Sequence, residues 1–157
     1  LSKYPIIKYE NADISAHSSE QRGLLHCEIA IEGWPQPLHC ICVHLGLFAG
    51  WRRKQIAILR DRIAEMVPED APLIIAGDFN DWSMSAGREL VHGLHLHEVF
   101  EHHGGKPARS FPSFLPMFRL DRIYVRGFHV RHVEVHAGPS FLKVSDHAAL
   151  TAVLSRT

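Results

Sequence analysis

Leu73-Ile74-Ile75-Ala76-Gly77-Asp78-Phe79-Asn80-Asp81-Trp82 is an unbroken apolar run that stops at a glycine, with a carboxylate and a carboxamide directly after it. A short run of this kind, bounded by turn residues, reads as a strand buried on both faces. Asp78 and Asn80 then stand where the strand leaves the core, which is where open α/β folds place ligand sites. Asp and Asn equally favour an Asx turn at a strand end, so both readings stand at this point.

Working outward, residues 51–67 carry Ile56, Leu59, Ile63 and Met66 at helical spacing, and Pro68 stops that helix. Residues 38–45 read as a strand paired antiparallel with an earlier one. In that earlier strand Leu25, Cys27, Ile29 and Ile31 alternate with His26, Glu28, Ala30 and Glu32, the period of a half-buried strand. Residues 1–7 read as the end of a strand with Pro5 at its exit, and 11–22 as a polar loop. Downstream, the pattern predicts a short helix over about 85–91 and an irregular loop over 104–118. In that loop Phe111, Phe114 and Phe118 are expected to cover a core edge. Strands are expected at 120–125, 130–135 and 148–154. The fold class is α/β with a mixed, largely antiparallel sheet system.

The 157 residues suffice for one domain with a core. Lys plus Arg and Asp plus Glu both number 17, so overall charge gives no drive toward sequence-independent nucleic-acid binding. Cys27, Cys40 and Cys42 lack a zinc-type spacing and read as reduced, buried thiols of a cytoplasmic protein. No stretch is long and apolar enough to span a membrane. Among 13 histidines, the group His92, His95, His97, His102 and His103 reads as solvated surface.

Four polar clusters remain: His44 at a strand end, Asp78 with Asn80, Asp121 inside the strand Leu120-Asp121-Arg122-Ile123-Tyr124-Val125, and Asp146-His147 before the last strand. Each has a structural reading by itself. Asp121 resists it most, because a carboxylate within an apolar strand needs a partner if buried.

Val43-His44-Leu45, Gly77-Asp78-Phe79-Asn80, Leu120-Asp121-Arg122-Ile123-Tyr124-Val125 and Ser145-Asp146-His147 resemble, in order, motifs of the endonuclease/exonuclease/phosphatase superfamily. The chain is similar to a small stand-alone bacterial member, corresponding to roughly its C-terminal two-thirds, so that residues 1–157 form a domain incomplete at its N-terminus. The resemblance implies a DNase I-like, four-layered α/β/β/α sandwich and hydrolysis of a phosphate ester, as a phosphodiesterase or nuclease, with Mg²⁺ or Mn²⁺. It implies that Asp78 activates the attacking water and Asn80 holds that water or the phosphate. His147, oriented by Asp121, and His44 would donate to the phosphoryl oxygens, and Asp146 would serve the metal. The family's main metal-ligating Glu, and an Asn, belong upstream of Leu1; Glu10 and Glu20 stand in the wrong context to replace them. An exposed apolar sheet face is expected with this departure.

Physical chemistry supports these roles. Phosphoryl transfer builds charge on non-bridging oxygens, which calls for a hard cation and fixed donors. Carboxylate and carboxamide oxygens suit Mg²⁺ or Mn²⁺, and an Asp beside an imidazole favours imidazolium. Adjacent residues of an extended chain point opposite ways, so Asp146 and His147 share a site only if the chain bends there. Trp82 and Arg119 are the candidates for substrate contact, and Trp51-Arg52-Arg53-Lys54 is the best basic-aromatic patch. The partner expected is a phosphoester: nucleic acid, lipid head group or small phosphodiester. Two alternatives stay open: a non-catalytic interaction module that kept the fold, and a phospholipid or small-molecule phosphoesterase in place of a nuclease.

Overall fold

The computed structural model describes residues 1–84, 86–91 and 93–157; Ser85, where the short helix is expected to begin, and His92 of the histidine group lie outside the described residues. The elements run β1 (Ile6–Asp13), β2 (Gly23–Ile29), β3 (Leu38–His44), α1 (Ala49–Met66), β4 (Leu73–Asp78), α2 (Ala86–Val91), β5 (His97–Glu98), α3 (Val99–Gly104), β6 (Asp121–Arg126), β7 (Phe128–His136) and β8 (Ala149–Arg156). Six strands form one sheet in the order β1-β2-β3-β4-β6-β5, and β7 pairs with β8 in a second. Among the described residues β3–β4 is the one parallel pair, because α1 carries the chain back between them.

The opening stretch behaves as its composition demands. Leu73 and Ile75 of β4 pack in one cluster with Ile56, Leu59 and Ile63 of α1. On the other face, Ile74 and Ile123 pack with Val130, Leu150 and Leu154 of the second sheet. Burying each such aliphatic side chain contributes about 1.5–3 kcal/mol. The described layers are therefore helix, sheet, sheet. The outward side chains of β7, among them His129, Arg131 and Glu134, are exposed.

Some expectations need correction. β1 continues through Asp13, because seven backbone partners on β2, from Ile6↔Ile29 to Asp13↔Gly23, hold a polar sequence extended. The covered face of β2 is the opposite of the apolar-looking one. Leu24 and His26 are buried, whereas Leu25 is exposed. Period-2 alternation separates two faces without saying which is covered, and His26 escapes notice because its Nε2 meets His39 Nδ1 at 2.9 Å inside the core. On the opposite face Cys27 and Cys40 are half-buried and Cys42 is exposed rather than buried. Burial pushes the Cys40 thiol up to about 11, with Cys27 adding to it. Ile7, Tyr9 and Leu25 are exposed on this same side of the sheet, so an apolar sheet face is open there. Phe114 and Phe118 are exposed and cover no core edge. No described helix is long and apolar enough to cross a membrane.

Gly77 is required by geometry. Its φ is +145°, and a Cβ there would lie 1.9 Å from the Val43 carbonyl oxygen. Gly77→Ala is expected to cost about 2–3 kcal/mol of stability by forcing β3 and β4 apart. A lowered urea midpoint with an unchanged slope is the reading that checks it.

Candidate active site

Sheet register assembles the site. β3 and β4 align His44 with Asp78, and β4 and β6 align Asp78 with Asp121, so the three side chains stand abreast at one end of the sheet. The segment before β8 then bends at Asp146 and His147. It is held against the 110–118 loop by the Ser113 amide donating to the Asp146 carbonyl (2.7 Å) and the Ala148 amide to the Ser110 carbonyl (2.6 Å). The bend lets Asp146 and His147 line one cavity.

His147 Nδ1 donates to Asp121 Oδ2 at 2.7 Å. Its Nε2 lies 4.0 Å from Asp78 Oδ2, and His44 Nε2 lies 3.6 Å from the same oxygen. With Nδ1 committed to a carboxylate, Nε2 is the ring atom left for a ligand. The turn after β4 is an Asx turn: Asn80, at φ +47°, donates its amide to Asp78 Oδ1 at 2.7 Å. Asn tolerates this left-handed conformation better than most residues. Asn80 Nδ2 donates to the Leu45 carbonyl (2.9 Å), which leaves its side-chain oxygen as the acceptor. The Asx turn is present, and it sets Asp78 and Asn80 against one cavity.

Behind His44, the loop into α1 is fastened from beneath. Gln55 Oε1 accepts from the Gly46 amide (2.8 Å), and Arg52 Nη1 donates to the carbonyls of Gly46 and Leu47. Arg52 is buried, so the basic-aromatic patch keeps Arg53 and Lys54 on its exposed side but not this guanidinium.

Burial pushes the Asp78 carboxyl above its ordinary range; the Asn80 amide opposes this, and the neighbouring Asp121 charge adds to it. Burial opposes charge on His147. The hydrogen bond to Asp121 and the charges of Asp121, Asp78 and Asp146 outweigh it and hold the imidazolium above its ordinary range. Because the folded value is raised, His147 contributes stability that is fully present below the unfolded value of 6.5 and is lost as pH rises through the folded one. Urea titrations of the protein and of His147→Gln should therefore differ most below pH 6.5 and converge at alkaline pH. A difference that does not change with pH refutes the coupling.

The cavity, about 520 Å³, is lined by His44, Asp78, Asn80, Asp121, Asp146 and His147. Trp82 also lines it, half exposed, with its ring 4.9 Å from that of Phe118. Arg119 does not; its Nε donates to the Pro107 carbonyl at 2.8 Å. The sequence reading missed three residues. Arg22 lines the cavity, ion-paired with Glu20 at 2.9 Å and with its buried Nε unpartnered. Phe111 stands 5.0 Å from the His147 ring. Arg122 is buried and donates through Nη1 to the carbonyls of Arg119 and Asp121, fixing the start of β6. Only Arg22 left a signal, a cation in a polar loop; the other two act through the fold.

Asp78, Asn80 and Asp146 offer hard oxygens to one cavity, a donor set that fits Mg²⁺ or Mn²⁺. Among the described residues no group of three or more His, Cys, Asp or Glu side chains is placed to hold a metal ion.

Residues 1–147 match the Endonuclease/Exonuclease/phosphatase family. The chain belongs to that family. This family member is 41% identical over 152 residues to the uncharacterized protein YbhP of Escherichia coli K12, an alignment covering 97% of this chain and 60% of that protein. It thus spans little more than half of the curated relative's length. An endonuclease/exonuclease/phosphatase from Bacteroides vulgatus has the same fold, with a TM-score of 0.80 at 18% identity over 99% of this chain and 67% of that one. The mannosyl-6-phosphatase of Bacteroides thetaiotaomicron superposes with a TM-score of 0.76 at 18% identity, covering 98% and 67%. The α/β, DNase I-like fold class is thereby established, and the family is one of phosphoester hydrolases.

Proposed function

We propose that the protein hydrolyses a phosphodiester with the help of Mg²⁺ or Mn²⁺. The observation that carries this reading is the run Asp121–His147–Asp78–His44 facing one cavity, at contacts of 2.7, 4.0 and 3.6 Å. Asp78 accepts the proton of the attacking water. Its raised pKa keeps it closer to neutrality as a base than an exposed carboxylate. The water oxygen bonds to phosphorus, one P–O ester bond breaks, and a proton passes to the departing alkoxide. His147, held by Asp121, and His44 donate to the phosphoryl oxygens as they gain charge. Asp146 and the side-chain oxygen of Asn80 would hold the cation, which supplies Lewis-acid stabilisation of that charge. Trp82 would flank the substrate.

The test uses the full-length protein with Mg²⁺ or Mn²⁺ against DNA, RNA, phospholipid and bis(p-nitrophenyl) phosphate. Hydrolysis that is lost on EDTA treatment and restored by either cation is expected. Turnover that persists in EDTA defeats the metal assignment, and failure on every substrate defeats the reading.

A further inference from the structure

A second cavity shares the turn after β4 with the candidate active site. Asn80 and Trp82 line the first cavity, whereas Asp81, Ser83 and Met84 line a separate space of about 450 Å³ walled by α2, α3 and β6. Alternation along β6 divides the two: Asp121 faces the first, and Arg122 and Tyr124 line the second.

The buried charge of this second cavity is Arg122. It is 2% exposed, and a guanidinium cannot shed its proton in a protein. Nη1 donates to the carbonyls of Arg119 and Asp121. Nη2 is buried with no partner, and among the described residues Arg122 forms no ion pair. Its chain neighbour Asp121 is committed to His147. Glu98 feels the Arg122 charge, but burial holds its carboxyl above the ordinary range. A buried charge without a counterion is costly, and water satisfies its hydrogen bond without answering its charge.

The remaining walls decide which anion fits. Met84, Val91 and the Tyr124 ring give the cavity a mostly apolar lining. Asp81 accepts from Ser83 Oγ and the Gly87 amide, and Glu101 stands exposed with Arg88. These two carboxylates repel a dianionic phosphate about twice as strongly as a single negative charge. A singly charged head on an apolar body meets both conditions.

We propose that this cavity is a second ligand site, which takes a small organic carboxylate with its head on Arg122 and its apolar body against Met84, Val91 and Tyr124. The site stands apart from the phosphodiesterase reading and does not depend on it.

Calorimetric titration of the full-length protein would use benzoate, its uncharged analogue benzamide, and inorganic phosphate. Benzoate is expected to bind, with benzamide weaker by tenfold or more. Arg122→Gln should weaken benzoate tenfold or more. Because Arg122 also fixes the start of β6, M84D is the second variant: it leaves the guanidinium in place and adds a carboxylate to the wall. Met84 is 48% exposed at φ +57°, a conformation that Asp adopts better than most residues, so M84D should fold. It should weaken benzoate fivefold or more, while His147→Ala should leave benzoate binding unchanged. Failure of benzoate to bind better than benzamide means that water alone meets Arg122 and overturns the site. Benzoate binding that falls in His147→Ala but not in M84D places the probe in the first cavity and overturns it as well. Inorganic phosphate that binds as tightly as benzoate, and is lost in Arg122→Gln, overturns the carboxylate assignment.

Discussion

Asp78→Asn is expected to lower kcat about a thousandfold in a divalent-cation assay on bis(p-nitrophenyl) phosphate, within the range lost with a positioned base. The substitution is nearly isosteric. Asparagine keeps an oxygen to accept the Asn80 amide, so the turn at φ +47° survives. Folding should not suffer, because the Asp78 carboxyl is raised chiefly by burial. A carboxyl whose folded value is raised contributes stability only at low pH and loses it as pH rises through that value, so at neutral pH the native state bears the charge at a cost. A variant as stable as the parent at pH 7 but catalytically dead separates the chemical role from the structural one. Activity within threefold of the parent would remove Asp78 from the water-activating position.

His147→Ala is expected to cost a hundredfold or more in kcat, as for loss of one preorganised donor to the developing charge. Asp121→Asn should lose less, since the ring remains and only its orientation and positive charge are weakened. The 2.7 Å bond couples the two residues, so their effects should not add. The double variant is expected to be scarcely worse than His147→Ala alone. Full additivity would mean that Asp121 acts on the substrate directly. A loss under threefold in His147→Ala would end the donor assignment. Because His147 is held above its ordinary range, the alkaline limb of the pH–rate profile should lie above 6.5, and Asp121→Asn should move it down.

Much of the fold was legible because burial on both faces leaves an unmistakable apolar run. β4 stood out for that reason and α1 for the helical spacing of its one buried face, and the parallel β3–β4 step follows from the helix between them. β1 was cut short in the reading because a polar strand at a sheet edge carries no apolar period; its hydrogen bonds to β2 hold it, and those are non-local. α3 and β5 were missed for a related reason, since six residues are too few to show a helical stripe, and the cap at Glu98, whose Oε2 accepts the Glu101 amide at 2.7 Å, sits inside a histidine-rich stretch. Arg119 was read as a substrate contact, but it lies before β6, which begins at Asp121, and its Nε donates to the Pro107 carbonyl instead.

The sequence by itself determined the residue types of the candidate site and their chain order: a carboxylate and a carboxamide after a buried strand, an aspartate in a strand, and an Asp-His pair before the last strand. Those are local facts, written in single stretches of chain. Only the tertiary structure decided that they meet. Register across β3, β4 and β6 sets His44, Asp78 and Asp121 abreast, and the bend at 146–147 turns one imidazole toward Asp121 and Asp78. It also decided that Arg52 is spent on holding a loop while Arg22 faces the cavity. Which cation reaches the cavity and which is spent on a loop depends on carbonyls and carboxylates brought close by folding, and no local pattern records that.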